Sequence, residues 1–230
     1  VLTNNSFTAL PGGVELADSI IKNAEIFASI FFSFSFTGFF LFVWVSALGY
    51  AFPLTPLNMT LINYFTIGFP SILISYWTIR PAGKAVAAHA GNFLRKILPF
   101  VVSSSFLQVI ALACVFAISS DQMKDASSNF LIVLASLLLG FIFFLFVPRV
   151  FRGELASSEK RDLAVLAIFE AILLPIALHI PLVLRFFEIE IPLISFDVVL
   201  QFFLTISVYT VLQYVLARRF SRAQGMAGSV

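Results

Sequence analysis

Six apolar runs, each long enough to cross a bilayer, alternate with short polar connections along this chain, at about 26–50, 57–77, 97–118, 129–148, 163–186 and 197–217. A helical span needs about 20 mostly apolar residues, so each run is read as one membrane helix. The first run contains FFSFSF at 31–36, whose alternation taken alone would suit a strand. A lone strand leaves its backbone unpaired in hydrocarbon and cannot cross a bilayer, so helix is preferred there too. The expected fold is all-α: a polytopic membrane helix bundle of six transmembrane helices.

The second run is punctuated unlike the others. FPLTPLNMTLINYFTIGFPS, residues 52–71, opens with Pro53 and Pro56, carries Thr60, Asn63 and Thr66, and ends at Pro70. Pro70 has no amide, which deprives the carbonyl of Thr66, four residues earlier, of its helical donor. At α-helical spacing Thr60, Asn63, Thr66 and Pro70 share one face. The pattern predicts a polar, locally unwound middle, and unpaired backbone at membrane depth is tolerated only where it is buried in protein or lines a cavity. An arrangement of this kind suits a site for a dehydrated ion.

Composition agrees with a membrane protein: 60% of the 230 residues are hydrophobic and 11% are charged. Cys114 is the single cysteine, which excludes an internal disulfide, and it is read as a small buried apolar residue. His89 and His179 are the only histidines and fall in separate segments, which argues against a histidine metal site. Twelve of the 14 basic residues, among them Lys22, Arg80, Lys84, Lys96, Arg149 and Arg152, fall on one side, and Lys124 and Arg185 on the other. The positive-inside rule then places both termini, and the loops 78–96 and 149–162, in the cytoplasm. Residues 1–25 read as a turn at Pro11, Gly12 and Gly13 followed by an amphipathic stalk. Val14, Ala17, Ile20, Ile21 and Ala24 form its apolar stripe, and Glu15, Asp18, Lys22 and Glu25 its polar one. The chain thus divides into a stalk region at 1–25, a membrane domain at 26–217 and a cytoplasmic tail at 218–230. No signal peptide is discernible before the stalk, and the chain reads as a fragment. No nucleic-acid surface or catalytic dyad is discernible.

Three segments resemble the C-terminal membrane part of P-type cation-transporting ATPases, in their order and spacing. VLTNNSF at the start resembles the VLLDDNF-like end of the phosphorylation domain, with Asn4 and Asn5 in place of the acidic pair. Residues 14–25 resemble the stalk leading into the fifth membrane helix. PLTPLNMTLINYFTIGFPS resembles the sixth-helix signature PxPLTxxHLTLISALTIGIPS of a bacterial branch and, more distantly, IPxQLLWxNLVTDGLP of calcium pumps. The resemblance implies that Asn63 and Thr66 match ion-coordinating positions, that Ile67 stands where an aspartate would be, and that Ser35 and Gly38 replace an asparagine and a glutamate of the preceding helix. A site of neutral oxygens alone does not suit tight calcium binding.

The chain contains neither DKTGT nor TGES, and no nucleotide-binding segment is recognisable. No cofactor is therefore expected within it. The resemblance implies that ATP and Mg serve the N-terminal domains of a parent pump in a bacterial plasma membrane, with the lipid bilayer, a cation and those domains as partners. Glu170, well inside the fifth run and near Pro175, is a candidate for a proton or counter-ion path, because ionisable side chains at that depth are costly. Pro175 also leaves the carbonyl of Ala171 without its α-helical donor. The plain alternative is a protonated packing residue. Ser29, Ser33 and Thr37 form a small-residue stripe suited to close helix contact. A rival from another class is a stand-alone six-span passive transporter, channel-like protein or accessory membrane subunit.

Overall fold

The computed structural model describes residues 10–79, 93–122, 125–153, 155–189, 191 and 194–227. The opening VLTNNSF, the loop residues Arg80, Lys84 and His89, and Lys124 lie outside them. In chain order the elements are α1 (Leu10–Ala47), α2 (Pro56–Asn63), a π-helical turn (Tyr64–Gly68), α3 (Phe69–Ile79), α4 (Phe93–Gln122), α5 (Asp125–Phe151), α6 (Ser157–His179), α7 (Pro181–Phe186) and α8 (Phe196–Ala227). No strand occurs among the described residues, and the FFSFSF segment is helical. Among the described residues six stretches are long and apolar enough to cross a membrane: Ser19–Ala47, Pro56–Trp77, Phe93–Ser119, Asn129–Phe151, Ser157–His179 and Phe196–Ala223. The protein is an all-α, multi-pass membrane helix bundle.

Two sequence expectations are corrected at helix ends. Pro11, Gly12 and Gly13 form the first turn of α1 instead of a separate turn. Proline is tolerated there because amides of a first turn have no helical acceptor. The run 163–186 is two helices, broken at Ile180, whose backbone is extended (φ −91°, ψ 112°). Pro181 disfavours the α conformation in the residue before it and then opens α7.

α4 and α5 occupy the middle. α4 packs on α1, α5 and α8, and α5 also meets α1, α2, α8 and the π turn. α6 is peripheral, and its main contact with the body of the bundle is with α3. Small and polar residues set the closest approaches. Ser29 and Ser33 of α1 are completely or almost completely buried, and the Ser105 hydroxyl of α4 lies 3.2 Å from the Ser33 carbonyl. Gln213 of α8 donates to Ser104 (3.1 Å), and the Tyr209 hydroxyl donates to the Leu139 carbonyl (3.3 Å). Without a hydrophobic driving force between helices in lipid, such packing and hydrogen bonding hold the bundle together.

One end of the bundle carries two described ion pairs and the polar contacts around them. Lys96 contacts both carboxylate oxygens of Glu25 at 2.7 Å. Arg152 pairs with Glu159, donates to Ser19 (3.3 Å) and lies over the Trp77 ring. The Trp77 indole donates to Asp162 (3.2 Å), and Asn23 donates to the Ile74 carbonyl (3.2 Å). These contacts bury Ser19, Asn23 and Glu25 of the stalk, whereas Val14, Ala17, Ile20 and Ala24 are exposed. Cys114 is also exposed, contrary to expectation, beside a groove between α4 and α8.

At the other end α1 closes through Gly49, whose positive φ of 76° is cheap only for glycine. Thr55 then caps α2 by accepting from the Asn58 amide (3.2 Å). The buried Asn58 side chain donates onward to the Phe187 carbonyl, tying α2 to the segment after α7.

Candidate functional site

The polar run in the second span folds without unwinding. Asn63 and Phe69 flank the turn with ordinary right-handed helical angles, and the Phe69 amide donates to the Tyr64 carbonyl five residues back. The expected unwound middle is thus corrected to a one-turn π bulge inside a continuous helix. The physical reason lies in Pro70, which has no amide and whose ring would press on the Thr66 carbonyl in a tight α turn. Widening the preceding turn relieves that clash and keeps the backbone paired in a medium where orphaned groups cost several kcal/mol.

Directly beside this bulge lies a cavity of about 40 Å³, walled by α1, α2, the π turn, α4 and α5. A space of roughly 10–15 Å³ holds one water, so this one has room for a small ion or a few waters. Its polar lining is Ser33, Thr37, Thr66, Gln108 and Ser136, and it includes no carboxylate. Thr37 donates to Gln108 Oε1 (2.9 Å), and Gln108 Nε2 donates to Ser33 (3.2 Å). The Thr66 and Ser136 hydroxyls donate back to Ile62 and Ile132 carbonyls, at 2.8 and 2.7 Å. With those protons committed, the hydroxyl oxygens keep lone pairs for a guest. The cavity therefore presents neutral oxygen donors in an otherwise apolar wall.

The residues singled out in the sequence separate into groups. Thr66 and Gly38 line the cavity. Pro70 is buried at the end of the bulge but outside the lining. Asn63 precedes Thr66 by one turn; its Oδ1 is buried without a hydrogen-bond partner, though Asn63 is not itself part of the lining. Ser35 is corrected: it is exposed and donates to the Phe31 carbonyl (3.0 Å), away from the cavity. Thr60 likewise faces outward and donates to the Pro56 carbonyl (2.9 Å). Glu170 is buried in a separate cavity between α5, α6 and Phe65. His179 is exposed at the end of α6, its Nδ1 2.7 Å from the Pro175 carbonyl. Among the described residues no cluster of three or more His, Cys, Asp or Glu could hold a metal ion.

No protein-family model and no curated protein matches the chain. Gln108, Ser136 and Gly140 of the lining were not singled out in the sequence. Gln108 carried a usable signal as an amide inside the apolar run 97–118, because buried side-chain amides in a membrane find helix partners. Ser136 and Gly140, four apart, form a small-residue pair on α5 of the sort that lets helices approach closely.

Proposed function

We propose that the chain is the six-helix membrane transport module of a P-type cation-transporting ATPase of a bacterial plasma membrane, and that the cation passes through the cavity beside the π turn. The observation that carries this reading is the placement of that cavity. It lies at mid-span against the one helix that carries the pump-like signature, lined by hydroxyl and amide oxygens, with the unpartnered Asn63 Oδ1 one turn away. Neutral oxygens around a small apolar space favour a weakly hydrated, singly charged cation over calcium or magnesium, which need several hard and mostly anionic ligands. Coupling to ATP hydrolysis belongs to domains outside the chain. The continuous α1, which runs from the stalk through the membrane, is the element by which their movement reaches the cavity.

The test uses a complete pump carrying these helices. Asn63→Ala and Thr66→Ala each lower cation-stimulated ATP hydrolysis and cation uptake, with a raised cation requirement as the signature of lost coordination. Unchanged cation dependence in both variants would remove the two residues from the pathway. An in-frame DKTGT upstream of Val1 in the coding sequence is the companion expectation.

A further inference from the structure

Glu170 is only 5% exposed, yet its Oε1 has no hydrogen-bond partner. It opens on a cavity of about 190 Å³ whose remaining walls are aliphatic and aromatic, including Phe65, Leu138, Phe141 and Leu174. Ala171, in the same wall, carries the carbonyl that cannot receive a donor from Pro175. A carboxyl oxygen without a hydrogen-bond partner therefore borders a greasy space several times larger than a water. Packing alone does not account for this, because a buried carboxyl oxygen without a partner is costly and a packing residue would fill the space it borders.

From this geometry we infer that the Glu170 cavity is a binding site for a compact organic ammonium ion, a protonated amine with an apolar body. The N–H groups of such a guest donate to Glu170 and the Ala171 carbonyl, its charge neutralises the carboxylate, and its body fills the space between the Phe65 and Phe141 rings, where a cation is also attracted by the ring faces. Access is from the membrane. α5 and α6 touch each other only sparsely, while Phe169 and Ile172 beside the gap face outward. The inference concerns a cavity separate from the one at the π turn, and it stands whether or not the chain belongs to a pump.

The experiment uses the full chain in phosphatidylcholine nanodiscs. Dicyclohexylcarbodiimide reacts with protonated carboxyls reached from lipid, and peptide mass analysis locates its adduct at Glu170, with Glu170→Gln as the control that lacks it. Adamantylammonium, at about ten times its dissociation constant, slows the adduct roughly tenfold by occupying the site. Adamantanol, with the same cage and no charge, leaves the rate unchanged. Equal protection by amine and alcohol, no protection by either, or failure of Glu170 to react at all would each overturn the inference.

Discussion

Thr66 and Gly140 meet where the π turn leans on α5: a Cβ built on Gly140 would collide with the Thr66 Cγ2 methyl. The contact fixes how near the bulge can sit to α5, and both residues line the same cavity. Gly140→Ala is expected to destabilise the bundle by about 1–3 kcal/mol, the usual cost of overpacking. Adding Thr66→Ser removes the offending methyl while keeping the hydroxyl. The double variant should therefore recover much of the loss in a denaturant titration of the protein in micelles. Strictly additive effects of the two changes would show that the two side chains do not press on each other.

Gln108 is the hub of the polar lining, holding Thr37 through its oxygen and Ser33 through its nitrogen. Gln108→Met keeps the bulk and loses both bonds. Hydrogen bonds between membrane helices average about 0.6 kcal/mol and reach about 1.7, so a loss of roughly 1–3 kcal/mol is expected. Gln108→Glu, protonated, can still donate one hydrogen bond, and should lie between the two. The ordering of the three proteins in the same titration is the check.

How much of this was legible beforehand depended on which length scale set the answer. The six spans were readable because bilayer thickness dictates them, and the buried state of Thr66 and Pro70 followed from polar or helix-breaking residues having no place against lipid. Thr60 failed for a definite reason. At about 100° per residue Thr66, six residues on, already stands about 120° from Thr60, and the wider π turn that contains Thr66 adds to that separation. Ser35 was placed by resemblance, without regard to helical phase. It stands two residues, about 200°, from Ser33, so α1 cannot present both to the cavity. The burial of Ser19, Asn23 and Glu25 was hidden because their partners, Arg152, Ile74 and Lys96, are distant in sequence.

The two ion pairs at the charged end should behave differently. Arg152 and Glu159 are both buried, with side chains 7% exposed. Glu159→Gln takes one carboxylate away from a buried guanidinium and is expected to cost about 1.5–3 kcal/mol. In the other pair Lys96 is 36% exposed but the Glu25 carboxylate only 5%, so Lys96→Gln should cost about 1–2 kcal/mol, and the part that comes from the solvent-exposed ammonium should shrink at high salt. Thermal unfolding of both variants at low and high ionic strength separates the cases.

Pro70 allows the structural and functional meanings of the bulge to be told apart. Pro70→Ala restores an amide four residues after Thr66, so the helix can close in an ordinary α register, and the clash that a ring imposes on an α turn, about 3 kcal/mol in soluble helices, is gone. Stability should therefore stay level or rise. If the bulge serves only to accommodate the proline, transport by a complete pump carrying the change would be unaffected. The arrangement argues otherwise. Closing the bulge turns Thr66 relative to Ser136 and Gly140, reshaping the hydroxyl-lined cavity beside it, so uptake should fall while the melting temperature does not. A variant that is both less stable and fully active would contradict the account on both counts.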